Sequence, residues 1–278
     1  MYKNEEEFLK NYNKNDYDLL SVTTDVLILS IDDEDTGNYR KTSKKHMSVL
    51  LVKRTDYPYK DKWSLPGGFI NIDEDLEESP KRVLKRETNL ENIYLEQLYT
   101  FGNAKRDPRM RILSTSYISL INRKNLTSEL SPNASWFNIR YFEEKNDVIV
   151  FLDNKSTELK FRLRKNYLDD NQDNIFYSIV TNDDIAFDHP IIIYMGIERI
   201  KNKINYTDIA FKLMPEYFTL GDLQQVYEVI LNKKLLDPAF RRIIASKVVK
   251  TDKIKKGEGH RPSALFKYNN IKKKDEEN

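Results

Sequence analysis

The 278-residue chain contains no cysteine. That absence excludes disulfide staples, thiolate zinc sites and thiol nucleophiles together. Only three histidines occur, His46, His189 and His260, far apart in sequence, so a histidine-rich metal centre is not expected either. No stretch approaches the ~20 consecutive apolar residues of a membrane span, and the opening MYKNEEEFLKNYNKNDYD is polar and acidic, without the apolar core of a secretion signal. The expected location is the cytoplasm, with no membrane partner. Internal repeats and low-complexity tracts are missing too, apart from the end IKKKDEEN, which should be disordered.

What is present is an ordinary balance of 39% apolar and 32% charged residues, in a chain long enough for two domains with a core in each. The net charge of +2 hides an asymmetry. Residues 205–278 carry 15 Lys/Arg against 10 Asp/Glu, a net +5, whereas the remainder carries 31 against 34, a net −3. A basic module joined to a mildly acidic one suggests a polyanionic partner for the basic part, although a solvated lysine-rich surface would look the same on charge alone.

The segment LPGGFINIDEDLEESPKRVLKRETNL, beginning at Leu65, carries the strongest motif. Gly68, Glu74, Arg82, Leu84, Glu87 and Leu90 fall on the spacing G-x5-E-x7-R-E-U-x-E-E-x-G-U, with U apolar. This resembles the Nudix box. Three positions depart from it: Val83 and Arg86 stand where helix glutamates belong, and Asn89 replaces the closing glycine. In Nudix enzymes those glutamates hold Mg2+ against a pyrophosphate, because a hard cation needs several oxygen ligands. Positions 83, 86 and 87 share one helix face, so the substitutions are expected to act at a single spot. Relative to the family pattern the local charge rises by three units, each worth roughly 3 kcal/mol per unit of cation charge at ~5 Å and an effective dielectric near 20. The expectation is a Nudix fold kept for binding, with catalytic residues none beyond the residual Glu74 and Glu87. No metal is expected, with Glu87 the ligand if Mg binds. Ser79 before Pro80 suggests that the helix starts there and leaves Glu74 in the loop.

Around the box, residues 21–31 (SVTTDVLILSI) and 46–54 (HMSVLLVKR) read as a hairpin flanking a polar excursion, and residues 5–11 as a short helix. Further strands follow in LEQLYTF and ILSTSYISLI, joined by Arg106-Asp107-Pro108-Arg109, a loop similar to one in Nudix proteins related to ADP-ribose pyrophosphatases. Residues 134–142 are expected to close the sheet. Residues 146–166 then read as an inserted hairpin and surface elaboration. A four-turn helix follows Asp188, its expected N-cap, with Pro190 in the first turn. The fold class implied is an α/β (α+β) Nudix fold over residues 1–204, a mixed sheet flanked by helices, with the boundary between Lys203 and Pro215.

Residues 205–278 read as a small winged-helix domain. Thr219 caps a helix over 220–231, Asp237 is expected to cap a second running to Lys247, and a hairpin with the basic turn GEGHRP follows. The order of these pieces resembles the C-terminal winged helix of Nudix-related transcriptional regulators of NAD and pentose metabolism. The resemblance implies a homodimer on an operator in duplex DNA, controlled by an effector such as ADP-ribose or a sugar, with no cofactor required. DNA contacts would come from Arg241, Arg242 and Lys247 on the second helix and from Lys253, Lys255, Lys256, His260 and Arg261 in the wing. Effector contacts would come from Arg54, Gly67, Gly68, Arg86, Arg106, Arg109 and His189. Arg86 either supplies fixed positive charge in place of the metal or is a solvated helix arginine. Two alternatives stay open: an Mg-dependent Nudix hydrolase of ADP-ribose or another nucleoside diphosphate derivative, recruiting Glu91 or Glu129 beside Glu74 and Glu87, and a module whose basic part contacts RNA or protein.

Overall fold

A computed structural model of the chain describes residues 4–13, 16, 18–34, 44–91, 93–126, 129–168, 175–257 and 260–270, without the side chains of residues 256, 257, 260 and 261. The polar excursion at 35–43 and the terminal 271–278 lie outside the described residues. A short helix, α1 (Glu5–Asn11), precedes the sheet and is capped by Asn4, which accepts from the Glu7 amide at 2.8 Å.

The organising strand is β1 (Ser21–Asp33), buried without interruption from Thr24 to Ile31. Its alternation explains the layers. Val26 and Ile28 face one cluster with Leu50, Val83 and Leu84, while Leu27 and Leu29 face a second, larger one with Val49, Leu51 and Ile118. Strand β2 (Lys45–Lys53) pairs antiparallel with β1, and the short β3 (Trp63–Ser64) and β4 (Gly67–Phe69) lie against β2 and β1. Helix α2 (Glu78–Thr88) covers the smaller cluster. It starts one residue before Ser79, which is not its cap. Glu77 holds the N-cap position without a side-chain hydrogen bond, and Ser79 instead accepts from Arg82 at 3.2 Å. Pro80 sits in the first turn, where its missing N–H costs nothing, and Glu74 lies in the loop as expected.

After β5 (Tyr94–Phe101), strand β6 (Ile112–Leu120) runs parallel to β1, which makes the sheet mixed. Strand β7 (Ala134–Glu144) does not close the sheet. It pairs with β2 on one side and with β8 (Asp147–Asp153) on the other, and β9 (Glu158–Tyr167) and β10 (Ile175–Asn182) continue the order β10-β9-β8-β7-β2-β1-β6-β5. The expected hairpin is there, but it is no surface elaboration. Val148, Val150, Leu152, Leu159, Phe161 and Leu163 turn inward into the larger cluster, each a burial worth roughly 1.5–3 kcal/mol. The third strand, β10, carries no clear signal in the sequence, because most of its residues are exposed and its sequence does not alternate.

Helix α3 (His189–Lys203) crosses the other face of β1. Gly196 permits the approach, since a Cβ there would stand 2.0 Å from Leu27 Cδ2. Beyond a 3-10 turn at Ile209–Leu213, α4 (Leu220–Leu231) begins with a complete capping box between Thr219 and Asp222. The second helix, α5 (Asp237–Ile244), is shorter than expected. Leu236, not Asp237, is its N-cap, and a 3-10 turn at Ala245–Lys247 follows it. Strands β11 (Val248–Gly257) and β12 (His260–Tyr268) form the hairpin, tied to the start of α4 by a bridge between Phe218 and Phe266. Leu223, Val226, Tyr227 and Ile230 of α4 join the larger apolar cluster of the sheet. The winged helix is therefore seated on the sheet through shared core. No helix among the described residues is long and apolar enough to cross a membrane.

Candidate functional site

A cleft of about 420 Å³ opens where the ends of β1 and β2 meet the β4 turn and the start of α3. All seven residues singled out from sequence for ligand contact line it: Arg54, Gly67, Gly68, Arg86, Arg106, Arg109 and His189. They come from five separate places in the chain. What unites them is the pairing of β4 with β1, which sets Gly67 opposite Asp25. A Cβ on Gly67 would lie 2.4 Å from Asp25 Oδ1 and 2.7 Å from the Thr24 carbonyl, so only glycine allows this approach. At Gly68 the same added carbon meets nothing within 4 Å.

The floor of the cleft is an ion network. Arg106, nearly fully buried, forks onto Asp188 at 2.9 and 2.7 Å and approaches Asp25 at 3.5 Å. Burial works against its charge, but the hydrogen bonds to Asp188 and the charges of Asp188, Asp25 and Asp107 outweigh it and raise its pKa. Asp188 holds the N-cap position of α3 yet makes no cap hydrogen bond, because its carboxylate serves Arg106. His189 Nδ1 accepts from the Leu65 amide at 2.9 Å, so the ring's proton belongs on Nε2, which faces Asp25 Oδ1 at 3.6 Å. Complete burial lowers its pKa against the pull of Asp25 and Asp188, and the imidazole is neutral. Arg106 and His189 thus build the floor: Asp188 and Asp25 meet the charge of Arg106, and His189 carries none.

The walls differ. Arg54 donates from Nε to the Pro58 carbonyl at 2.8 Å and lies over the Phe187 ring at 4.9 Å. Phe187 has a left-handed backbone, φ 55°, and packs edge-on to Tyr59. Arg109 is paired with Asp107 and lies over Phe69 at 5.3 Å. Burial, and after it the nearby Arg109 charge, push the Arg54 pKa down against the pull of Asp107, Asp25 and Asp56. Arg86 donates to Glu87 at 2.6 Å and to the Gly67 carbonyl at 3.2 Å. Sequence reasoning missed Asp25, Phe69, Phe187 and Asn133, which also line the cleft. Asp25 had a signal, being the one charge inside the otherwise uncharged run 21–31.

A divalent ion of the Nudix kind does not fit this donor set. Val83 is fully buried in the smaller apolar cluster, so positions 83, 86 and 87 do not act at one spot as expected; of the three only Arg86 lines the cleft. Glu87 is buried with one oxygen taken by Arg86 and the other by Ser131 at 2.9 Å. Glu74 is held by Arg82, whose hydrogen bonds lower its pKa to about 2. Glu91 pairs with Lys85, and Glu129 lines a different cavity. Among the described residues no three His, Asp or Glu side chains converge as metal ligands.

On the winged helix, Arg241 and Arg242 are exposed, and among the described residues neither has an ion-pair partner. Lys247 is directed inward, to Asp208 at 2.9 Å, where Tyr268 also donates at 2.7 Å. Lys253 lies over the Tyr217 ring at 3.5 Å, and Lys255 approaches Asp222 at 3.5 Å. The side chains of Lys256, His260 and Arg261 lie outside the described part of the structure.

Two family models match the chain: the NUDIX domain over residues 28–159 and the NrtR DNA-binding winged helix domain over residues 210–268. The ADPR responsive transcriptional repressor NtrR of Acinetobacter baylyi is 32% identical over 272 residues, which is 96% of this chain and 89% of that protein. Among solved structures, Shewanella oneidensis NrtR complexed with a 27mer DNA is similar at TM-score 0.64 and 26% identity, covering 89% of this chain and 93% of its own. A MutT/nudix family protein from Enterococcus faecalis shares the fold at TM-score 0.69 and 23% identity, covering 96% of this chain and 94% of its own.

Proposed function

The chain belongs to the Nudix-related transcriptional regulators, in which a Nudix domain is followed by an NrtR winged helix, and we propose on that footing that it binds operator DNA under the control of ADP-ribose. The observation that carries this reading is the make-up of the cleft. Arginines line a turn open enough for backbone approach at Gly68, while the carboxylates needed to gather magnesium are buried, paired or replaced. Such a site holds a diphosphate better than it cleaves one.

A ligand changes DNA affinity only by binding two arrangements of the protein unequally. The segment 129–133 is the bridge through which it would do so. Asn133 lines the effector cleft, Ser131 donates to Glu87 beneath Arg86, and Glu129 and Leu130 line a second cavity, of about 820 Å³, shared with Pro215, Tyr217 and Lys255 of the winged-helix part. Arg241 and Arg242 would read base edges and phosphates in a major groove, Arg forking onto guanine. The wing's Lys253, Lys255, Lys256, His260 and Arg261 would grip the backbone, with Lys253 and Lys255 leaving their present contacts. Lys247 would hold the junction instead of DNA. A homodimer would set two such wings on one operator.

The test is a gel shift of full-length protein with duplex DNA from the gene's own upstream region, with and without ADP-ribose. The reading expects a specific complex whose affinity ADP-ribose changes at least about five-fold. Indifference to DNA, combined with rapid magnesium-dependent cleavage of ADP-ribose, would replace it with the hydrolase alternative.

A further inference from the structure

Arg86 is the cleft's most consequential departure from the Nudix pattern, and its surroundings give it a definite chemistry. Its guanidinium is pinned at two points, by Nε to Glu87 and by Nη2 to the Gly67 carbonyl, yet the side chain stays 50% exposed at the cleft rim. The Glu87 carboxylate beneath it is 4% exposed and accepts a second bond from Ser131. A solvated helix arginine would be held by neither. Together with Arg54 and Arg109, Arg86 presents a third guanidinium to the same cleft.

We propose that Arg86 takes the place of the divalent cation, so that the cleft binds the diphosphate of a nucleoside diphosphate sugar as the free anion, without magnesium. The proposal rests on the cleft being the effector site. Planar guanidinium groups suit the task, since each offers paired N–H donors matched to two phosphate oxygens and needs no coordination shell. Magnesium would then be a competitor, because it occupies the same phosphate oxygens.

Calorimetric titration of the full-length protein with ADP-ribose, and separately with inorganic pyrophosphate, in EDTA and in excess Mg2+, tests this. Wild type should bind ADP-ribose in EDTA, and Mg2+ should leave that affinity equal or weaker. Arg86→Gln should lose roughly ten- to a hundred-fold in EDTA, the usual scale for a charge-assisted bond to a charged ligand, and Arg86→Lys should recover part of it. Melting temperatures near that of wild type establish that both variants are folded. Wild-type binding that requires Mg2+, or an Arg86→Gln affinity equal to wild type, overturns the proposal while leaving the effector reading intact. Pyrophosphate bound in EDTA in an Arg86-dependent way, with ADP-ribose ignored, supports the arginine's role and removes ADP-ribose as effector. Binding of neither ligand overturns both.

Discussion

Gly67 and Gly68 are neighbours with opposite constraints. A methyl on Gly67 collides with a backbone carbonyl and a buried carboxylate, whereas a methyl on Gly68 extends into open space. Gly67→Ala should therefore destabilise the fold by about 1–3 kcal/mol, as overpacking does, while Gly68→Ala keeps stability and weakens the ligand; denaturant titration and ADP-ribose titration of both variants separate the two effects. His189 makes a second prediction. Burial holds its native pKa below the free value of 6.5, so the unfolded chain takes up a proton first as pH falls. Stability should drop as pH decreases below about 6.5, until the depressed native pKa is reached, and His189→Asn should flatten that part of the curve in unfolding titrations. Arg86, Arg106 and Arg109 were legible because the box and the Arg-Asp-Pro-Arg loop are contiguous motifs. The ion network under them was not. It depends on a parallel pairing of β1 with β6 that lets the Ser114 hydroxyl donate to Asp25, and on a loop that brings Arg106 to Asp188, contacts spanning more than 80 residues.

Among the elements, those with local signals read well. Thr219 and Asp222 announce α4, and the apolar spacing of Leu223, Val226, Tyr227 and Ile230 gives its buried face. Boundaries set by tertiary contacts did not: α5 stops at Ile244 as the chain turns through Ala245–Lys247 to enter β11. That turn delivers Lys247 to Asp208 at the junction between sheet and winged helix. The prediction is that Lys247→Ala leaves the slope of log K for DNA against log salt unchanged, because no phosphate contact is lost. The exposed pair itself is worth at most about 1 kcal/mol, so the change should appear mainly in how strongly ADP-ribose alters DNA affinity. A slope shallower by about one in fluorescence anisotropy titrations would return Lys247 to the DNA surface.

For the whole molecule, the sheet, its β8–β10 extension and the winged helix share one apolar cluster, so the cleft-bearing sheet and the winged helix belong to a continuous body. The charge asymmetry seen in sequence has a matching geography, with acidic groups consumed in the cleft floor and basic groups left on α5 and the wing. Arg261→Ala, at the wing tip, should reduce the salt slope by about one with little loss of sequence preference, since phosphate contacts position and base contacts specify. Competition with unrelated duplex DNA at several salt concentrations checks both halves of that statement.

A receptor cleft and a hydrolase cleft differ in what becomes of a bound diphosphate. Phosphorus NMR of ADP-ribose mixed with the protein and Mg2+ observes both possibilities in one sample. In a receptor the diphosphate resonances should shift or broaden on binding and stay intact over hours. Their conversion within minutes to AMP and ribose 5-phosphate, at turnover near the ~10 s⁻¹ of an ordinary enzyme, would contradict the receptor reading.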